Sequence, residues 1–259
     1  MPITTAINDV LALRDYTPNP ATNHVMTQLV ESVIDANDLP NELQKDDIMS
    51  KVREISALTE TELECTWAQM ISSSAQPKAA LLSFPYIDNY TELARRELAL
   101  IARSGLQLNA THKALIIGSG PLPLSALELH RQSGASIDHV DSSLRATQLS
   151  TAVCDALGMT SRQYCAAGQS VQLEVSYDLV LIAALAGATV ADKQAIIDNI
   201  LPHLAKGGRI VIRSARGSRE LLYPGIKINE LHGVQKLAEY HPDDYIINSV
   251  FVYGREHEA

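Results

Sequence analysis

Near the middle of its 259 residues the chain reads Lys113-Ala-Leu-Ile-Ile-Gly-Ser-Gly-Pro-Leu-Pro-Leu-Ser125. Ala114 to Ile117 form a short apolar run, which is typical of a strand buried on both faces of a parallel sheet. Gly118 and Gly120 allow a tight turn and a close approach of the backbone to a ligand. A helix that begins after this turn attracts negative groups to its N-terminus. The pattern predicts either a nucleotide-like cofactor at this turn or a plain strand-to-helix connection.

Two prolines follow the glycines. Pro121 and Pro123 suit the first turn of a helix, where a missing N–H costs little, so the sequence predicts a helix from here through His130. Pro123 stands where the dinucleotide fingerprint has its third glycine, which leaves the motif unspecific by itself. Ser119 and Pro121 lie within the turn, and we expect both to contact the cofactor together with the two glycines.

A second predicted strand, Ser136–Asp141, ends in an acid about 20 residues after the glycines. A carboxylate at this place can accept hydrogen bonds from a ribose diol. Asp141, with Ser142 after it, is therefore a predicted cofactor contact. Asp141 can instead cap the helix predicted through Leu149, and one residue can do both.

Further apolar runs follow at 177–184 and 208–213, with a helical pattern through Ile196, Ile197 and Leu204 between them. Strands that alternate with helices are typical of a parallel sheet covered by helices on both faces. The sequence therefore predicts an α/β fold with a Rossmann-like, doubly wound parallel sheet.

The first hundred residues have a different pattern. Apolar residues recur at helical spacing in 23–36, 46–70 and 90–104. We expect an all-helical N-terminal domain, residues 1–105, that caps the substrate, and a Rossmann-like cofactor-binding domain, residues 106–259. A cleft between two domains is a common place for a substrate. The inward positions predicted for the 46–70 stretch are Ile48, Val52, Ile55, Leu58, Leu63 and Trp67.

Composition narrows the class of ligand. The net charge is −9, with 21 lysines and arginines against 30 acidic residues. Nucleic-acid binding needs a basic footprint, so this balance argues against a nucleic-acid partner and favours a small molecule.

The cysteines, the histidines and the apolar runs of the sequence allow predictions about metal binding and cellular location. The three cysteines, Cys65, Cys154 and Cys165, lack Cys-x-x-Cys spacing, which indicates reduced thiols in a cytoplasmic protein. The eight histidines are scattered, so we expect no metal site. Residues 1–18 do not read as a secretory signal, and no apolar run is long enough to cross a membrane, so a soluble protein without a membrane partner is expected.

Six short motifs follow one another between residues 84 and 249: Phe84-Pro-Tyr-Ile-Asp-Asn-Tyr90, Gly118-Ser-Gly-Pro-Leu-Pro-Leu124, Leu181-Ile-Ala-Ala-Leu-Ala-Gly187, Arg213-Ser-Ala-Arg-Gly217, Leu222-Tyr-Pro224 and Tyr240-His-Pro-Asp-Asp-Tyr-Ile-Ile-Asn-Ser249. In order and spacing they resemble the nicotianamine synthase family. The short length resembles the bacterial branch that makes the opine-type precursors of staphylopine, pseudopaline and yersinopine. The His241, Asn248 and Ser249 positions support this resemblance and have no chemistry assigned to them here.

The resemblance implies a reaction. Enzymes of that branch transfer a 3-amino-3-carboxypropyl (aminobutyrate) group from S-adenosylmethionine to the amine of histidine and release 5′-methylthioadenosine. The implied fold is the S-adenosylmethionine-dependent transferase type. A downstream opine-dehydrogenase-type enzyme is the implied pathway partner. A homodimer is the ordinary expectation for an enzyme of this size.

Such a reaction needs a group that takes a proton from the attacking amine. The resemblance assigns this role to Glu60 as general base and to Tyr86, whose hydroxyl orients the amine. Glu64 lies one helical turn beyond Glu60 and faces the same side, so the register is open and Glu64 is also a substrate-binding candidate. Without the resemblance, this acidic run reads as a solvated helix face.

The remaining site predictions each have an ordinary alternative. Tyr90 can contact the cofactor or be a half-buried core residue. Arg213 and Arg216 can hold carboxylates by two-pronged hydrogen bonds, or can be solvated or paired with acids. Four small or amide residues complete the predicted cofactor contacts, with Gln169 a candidate for the adenine: Gly168, Gln169, Ala183 and Ala184.

Two other functions use the same features. Many S-adenosylmethionine methyltransferases carry an acid two residues before the first glycine, where this chain has Ile116. That departure fits a cofactor pose that presents a carbon other than the methyl. A small-molecule N-methyltransferase nevertheless stays an alternative, and so does a non-catalytic nucleotide-binding sensor.

Overall fold

The computed structural model describes residues 1–36, 39–40, 46–226 and 231–256. Its first part is helical, and its second part is an α/β sheet with helices on both faces. The helices are α1 (Ile3–Ala12), α2 (Pro20–Asp35), α3 (Asp46–Ser73), α4 (Pro77–Leu82), α5 (Ile87–Arg103), α6 (Leu124–Ser133), α7 (Leu144–Leu157) and α8 (Val190–Ile200). Two short 3-10 helices lie at Leu201–His203 and Gly217–Leu221.

The strands are β1 (Lys113–Ile117), β2 (Ser136–Asp141), β3 (Gln163–Cys165), β4 (Tyr177–Ile182), β5 (Leu204–Ser214), β6 (Val234–Tyr240) and β7 (Ser249–Arg255). Within the described residues they form one sheet in the order β3-β2-β1-β4-β5-β7-β6. The first five positions in this order pair in parallel. β7 runs antiparallel to both of its neighbours, β5 and β6.

The central strand is buried as its apolar sequence predicts. Ala114 to Ile117 are at most 2 % exposed, and β1 pairs with β2 on one side and β4 on the other. The chain winds outward from β1 in one direction through β2 and β3, and in the other through β4 and β5. A ligand binds such a sheet at the carboxyl ends of the strands where the winding direction changes. That place is the end of β1, at the glycine turn.

The predicted α/β fold is confirmed, and the wholly parallel sheet is wrong. The pairing of β7 makes the sheet mixed. The antiparallel pairs were missed because no strand was predicted after residue 213, although β7 contains the buried apolar run Val250 to Tyr253. The short edge strand β3 and the helices α1 and α4 were not predicted either.

Two local predictions are corrected. Pro121 and Pro123 precede helix α6, which begins at Leu124 with Pro123 as its N-cap residue. Leu58 is 43 % exposed, so it does not belong to the inward face of α3. The region 46–70 lies in one continuous helix, α3. The positions Val52 and Ile55 are buried as expected.

The helical part and the sheet share a hydrophobic core. One cluster of buried side chains contains Ile71 of α3, Leu100 of α5, Ile116 of β1 and Val211 of β5. Helix α3 packs against α7, and α5 packs against α6. The change at residue 105 is thus a change in secondary structure, and packing continues across it. Among the described residues no helix is long and apolar enough to cross a membrane.

Candidate functional site

A cavity of about 410 Å³ lies at the carboxyl ends of the central strands. We call it the cofactor cavity. It contains every predicted site position except Tyr86 and Arg216. These positions are Glu60, Glu64, Tyr90, Gly118, Ser119, Gly120, Pro121, Asp141, Ser142, Gly168, Gln169, Ala183, Ala184 and Arg213. Residues that the sequence separates by up to 153 positions, from Glu60 to Arg213, are therefore brought to one place.

The glycine turn forms the floor of this cavity. Gly118 and Gly120 have φ values of +78° and +71°, a conformation that residues with a side chain rarely adopt. A Cβ at Gly118 would lie 2.9 Å from the Cβ of Ala186, and a Cβ at Gly120 would lie 2.7 Å from Oε2 of Glu64. Both backbone strain and space therefore require glycine here.

Asp141 ties the turn to the next helix. Its Oδ2 accepts a hydrogen bond from the backbone N–H of Gly120 at 2.9 Å, and its Oδ1 accepts one from Ser143 at 2.9 Å. Ser143, whose Oγ accepts from the N–H of Ala146, is the N-cap of α7. The alternative that Asp141 caps this helix is therefore wrong. The carboxylate faces the cavity, and its contact with a ribose stays a prediction.

A second cavity of about 160 Å³ adjoins the first on the side of the N-terminal helices. We call it the acceptor cavity. Its lining is mostly apolar, with Met26, Phe84, Leu93 and Ile246 among the side chains. Five residues line both cavities and form what we call the shared wall: Glu60, Glu64, Tyr90, Tyr223 and Asn248. Carboxyl and phenol groups thus stand where the two cavities meet.

Glu60 forms a hydrogen-bonded pair with a phenol in this wall. The hydroxyl of Tyr223 donates to the two carboxyl oxygens of Glu60, at 3.0 and 3.1 Å. Burial raises the pKa of Glu60, and the Tyr223 hydrogen bond and the charge of Arg213 oppose that rise. Burial, followed by the negative charge of Glu60, also raises the pKa of Tyr223 well above its usual range. Near neutral pH the phenol therefore keeps its proton and is the hydrogen-bond donor of the pair.

Glu64 lies one turn further along α3 and is the more strongly perturbed acid. Burial, the like charges of Glu60 and Asp141, and a weaker opposing hydrogen bond from Tyr90 leave its pKa well above the usual range. Tyr90 is half-buried, and burial with the charge of Glu64 raises its pKa well above normal. Both residues line both cavities. Tyr90 is thus half-buried, as one interpretation predicts, and its contact with the cofactor stays a prediction.

Tyr86 lies in the acceptor cavity and not in the cofactor cavity. It is 40 % exposed and packs edge-on against Phe84, with ring centroids 5.8 Å apart. Burial is the main cause that raises the pKa of its hydroxyl, and the charge of Glu60 adds to the rise. This placement fits the predicted contact with an acceptor, which stays a prediction.

The two arginines have different surroundings. Arg213 is 6 % exposed, and its Nε and Nη2 donate to both carboxyl oxygens of Glu97, at 2.7 and 2.9 Å. The two-pronged contact predicted with a substrate is thus made with a protein acid instead. Nη1 of Arg213 donates to Ser125. Arg216 is exposed and lines neither cavity, so a contact with substrate has no support from its position.

Comparison with known proteins identifies the family. The nicotianamine synthase protein family model matches residues 2–259. Nicotianamine synthase 9 of Hordeum vulgare is 34% identical over 254 residues, covering 93% of this chain and 74% of that protein. This chain belongs to the nicotianamine synthase family.

Solved structures agree on the fold. A glutamate-to-glutamine mutant of MtNAS in complex with S-adenosylmethionine has a TM-score of 0.80 and 22% identity, covering 98% of this chain and 96% of that chain. MtNAS in complex with MTA and tNA has a TM-score of 0.78 and 21% identity, with the same coverage. The fold is that of the S-adenosylmethionine-dependent methyltransferases, with added N-terminal helices. The protein is a nicotianamine synthase-like, S-adenosylmethionine-dependent aminocarboxypropyltransferase.

Three polar residues at or beside the site were not predicted from the sequence: Tyr223, Asn248 and Glu97. Tyr223 and Asn248 lie in quoted motifs, yet no chemistry was assigned to them. The Nδ2 of Asn248 is buried without a hydrogen-bond partner among the described residues, which leaves a donor available at the shared wall. Glu97 carries no motif signal, because it is one more acid on the amphipathic helix α5. The signal in the sequence is Arg213, which ends an apolar run and would need a counter-charge if it were buried.

A buried lysine supports the wall of the cofactor cavity. Lys193 is 0 % exposed, and its Nζ donates to the carbonyl oxygens of Ala183 and Ala184 at 2.6 and 3.2 Å. Burial lowers the pKa of Lys193 to about 7. The predicted contacts Ala183 and Ala184 are therefore held in place from behind. No group of three or more possible metal-binding side chains occurs in the described part of the chain.

Proposed function

We propose that this enzyme transfers the 3-amino-3-carboxypropyl group of S-adenosylmethionine to the amine of histidine and releases 5′-methylthioadenosine. The observation that carries the proposal is the shared wall, in which the Glu60–Tyr223 pair stands between a cofactor cavity and an acceptor cavity. A group transfer between two bound molecules needs a proton acceptor at their junction.

The cofactor cavity fits S-adenosylmethionine. The turn at Gly118 and Gly120 lines the cavity with backbone that carries no side chain, which allows a ligand to approach closely. The Asp141 carboxylate is positioned for a ribose diol, and the buried hydroxyl of Ser119 has no partner among the described residues. Gly168 and Gln169 line the same cavity and are the proposed adenine contacts. The methionine end then points toward α3, where Glu60 and Glu64 lie.

The acceptor cavity fits an amino acid whose side chain is uncharged. None of the described residues that line it is a lysine or an arginine, and three amide side chains there, Asn23, Asn89 and Asn248, can form hydrogen bonds. A neutral imidazole is planar and can pack on Phe84 or Tyr86 while it bonds to an amide. An acidic side chain would meet the negative charges of Glu60 and Glu64 without a compensating cation. This charge pattern supports histidine over glutamate or aspartate.

The chemistry follows from the groups at the shared wall. Glu60 accepts a proton from the acceptor ammonium, which frees the nitrogen lone pair. Tyr223 holds the Glu60 carboxylate in place, and Tyr86 orients the amine from the acceptor side. The amine forms a C–N bond to the γ-carbon of the aminocarboxypropyl group as the C–S bond breaks. The bonding electron pair goes to sulfur, which neutralises the sulfonium and gives 5′-methylthioadenosine.

The place of this reaction in metabolism is part of the same proposal. A product that carries an added aminobutyrate group and two carboxylates is a precursor suited to nicotianamine-like metallophores of the opine type. An opine-dehydrogenase-type enzyme would then consume its primary amine by reductive condensation. Cytoplasmic location and a homodimer belong to this proposal as well.

One incubation tests the reaction and the acceptor together. The full chain is incubated with S-adenosylmethionine and L-histidine, D-histidine or glutamate, and the products are identified by mass. We expect 5′-methylthioadenosine together with an aminobutyrate adduct of one histidine enantiomer. S-adenosylhomocysteine would instead establish methyl transfer, and cofactor binding without turnover on any amino acid would establish a sensor. An adduct of glutamate alone would contradict histidine as the acceptor.

A further inference from the structure

The carboxyl group of Glu64 lies directly over the glycine turn. Its Oε2 is 2.7 Å from the place where a Cβ of Gly120 would stand. It also forms hydrogen bonds with the backbone of Leu122 and with the hydroxyl of Tyr90. Leu122 follows directly on the glycine turn. Glu64 is thereby attached to the cofactor side of the shared wall.

Glu60 has a different set of neighbours, although it is on the same face of α3. It pairs with Tyr223, and its negative charge acts on Tyr86, which belongs to the acceptor cavity. The two acids are thus one helical turn apart and have different partners, although both line both cavities.

The groups that face Glu64 carry an excess of negative charge. Acids come from two elements, Glu60 on α3 and Asp141 at the end of β2. Two neutral phenols complete the surroundings, Tyr90 on α5 and Tyr223 after the second 3-10 helix. The nearby cation is Arg213 of β5, and Glu97 of α5 already neutralises it. Four carboxyl groups, those of Glu60, Glu64, Asp141 and Asp192, therefore line one cavity with no unmatched cation among the described lining residues.

Such a cluster is costly to keep fully ionised. Like charges at short range in a partly desolvated site favour protonation of the most buried member. Burial, with Glu60 and Asp141 as like charges, shifts the pKa of Glu64 in that direction. The aminocarboxypropyl end of S-adenosylmethionine supplies two positive centres, the sulfonium and the α-ammonium, against one α-carboxylate, so its net charge is positive. A cation bound beside Glu64 stabilises the ionised carboxylate, so protonation of Glu64 is no longer favoured.

Building on the proposed function, we propose that Glu64 is the residue that recognises the cationic end of S-adenosylmethionine, and that it exchanges a proton for that cation on binding. In the free enzyme the Glu64 carboxyl group holds the proton. When S-adenosylmethionine binds, the O–H bond breaks, the proton leaves to solvent, and the carboxylate pairs with the positive centres. 5′-Methylthioadenosine has neither centre, so its binding leaves the proton in place.

Calorimetric titration of the full chain measures this exchange directly. S-adenosylmethionine and 5′-methylthioadenosine are each titrated at neutral pH in two buffers that differ in ionisation enthalpy. We expect about one proton to be released with S-adenosylmethionine and close to none with 5′-methylthioadenosine. The affinity for S-adenosylmethionine should rise about tenfold per pH unit below the titration of Glu64, while that for 5′-methylthioadenosine stays level.

Two matched variants assign the proton to one residue. Glu64→Gln should release no proton and should bind S-adenosylmethionine about tenfold or more weakly, because it loses a hydrogen-bonded ionic contact. Its affinity for 5′-methylthioadenosine should be retained, which also shows that the variant is folded. Glu62→Gln, on the same helix but lining neither cavity, should keep the proton release. Unchanged release by Glu64→Gln, or an equal loss of affinity for both ligands, would overturn the proposal.

This outcome is separable from that of the proposed function. Tight binding of S-adenosylmethionine without proton release overturns the role of Glu64 and leaves the transfer reaction intact. Proton release on binding, in a protein that produces S-adenosylhomocysteine in the product test, supports the role of Glu64 and overturns aminocarboxypropyl transfer.

Discussion

Arg213 and Glu97 form a buried, two-pronged ion pair, with Nε and Nη2 donating to the two carboxyl oxygens at 2.7 and 2.9 Å. The Glu97 side chain is 0 % exposed and that of Arg213 is 7 % exposed. The pair joins helix α5 to strand β5 beneath the cofactor cavity. It is therefore a structural connection between the helical part and the sheet at the site itself.

Removal of the Glu97 charge should destabilise the protein strongly. Glu97→Gln leaves the guanidinium of Arg213 buried without a counter-charge, which costs about 3–5 kcal/mol in free energy of unfolding. Urea denaturation measures this value. Glu239→Gln is the matched control, since Glu239 pairs at 2.7 Å with Lys236 through side chains that are 44% and 39% exposed. The control should lose at most about 1 kcal/mol, and equal losses in the two variants would contradict a special role for the buried pair.

Glu60→Gln should lower turnover with little effect on cofactor affinity. The amide cannot accept the proton of the acceptor ammonium, so kcat should fall by about 10²- to 10⁴-fold. Release of 5′-methylthioadenosine measures turnover. The control is Glu62→Gln on the same helix, since Glu62 pairs with Arg145 at 2.6 Å and lines neither cavity. Normal turnover by Glu60→Gln would refute Glu60 as the base.

Tyr223→Phe should also slow the reaction, although less than the loss of Glu60. The variant removes the hydroxyl that donates to both oxygens of Glu60, and a hydrogen bond to a charged group corresponds to a rate loss of about 10- to 100-fold. The apparent pKa of the base in the pH–rate profile should rise, because the Tyr223 hydrogen bond lowers the pKa of Glu60. An unshifted profile would show that Tyr223 does not act through Glu60.

Gly120→Ala and Gly158→Ala separate backbone strain from site geometry. Both glycines have positive φ, +71° and +72°, so each alanine should cost about 1–2 kcal/mol in stability. A Cβ at Gly158 meets nothing within 4 Å, whereas one at Gly120 approaches Glu64. Only Gly120→Ala should therefore reduce kcat/KM for S-adenosylmethionine, on the order of 100-fold. A similar loss in Gly158→Ala would mean that strain alone accounts for the effect.

His139 should make the fold sensitive to acid. It is 0 % exposed on β2, and burial lowers its pKa to about 4 from an ordinary value of 6.5. Between these pH values the unfolded chain binds a proton at this site that the folded protein does not bind. The free energy of unfolding should therefore fall as the pH drops from 6.5 toward 4, by up to about 3 kcal/mol.

The variant His139→Gln isolates this contribution. Glu64 has a raised pKa and acts in the opposite sense, because its folded form binds the proton more readily. The difference between the wild-type and His139→Gln unfolding curves, measured from pH 7 to 4, removes that background. A constant difference across this range would contradict the expected titration.

The local sequence determined the elements that build the cofactor cavity. The apolar run Ala114 to Ile117, the two glycines after it and the acid that ends β2 each follow from short-range rules on burial, φ and strand alternation. These features lie within about 30 residues, and the structure contains all of them. The family resemblance added Glu60, and helical register added Glu64, in a run that spacing alone reads as a solvated helix face.

The tertiary structure alone decided which groups meet at the shared wall. Glu60 and Tyr223 are 163 positions apart, and Glu97 and Arg213 are 116 apart, so no periodicity in the sequence links either pair. The same limit explains why Arg213 was read as a substrate ligand, since a buried guanidinium binds whichever carboxylate the packing places beside it. Backbone pattern is a short-range property of the chain, whereas charge pairing depends on long-range packing. The shared wall is built from residues that only long-range packing brings together.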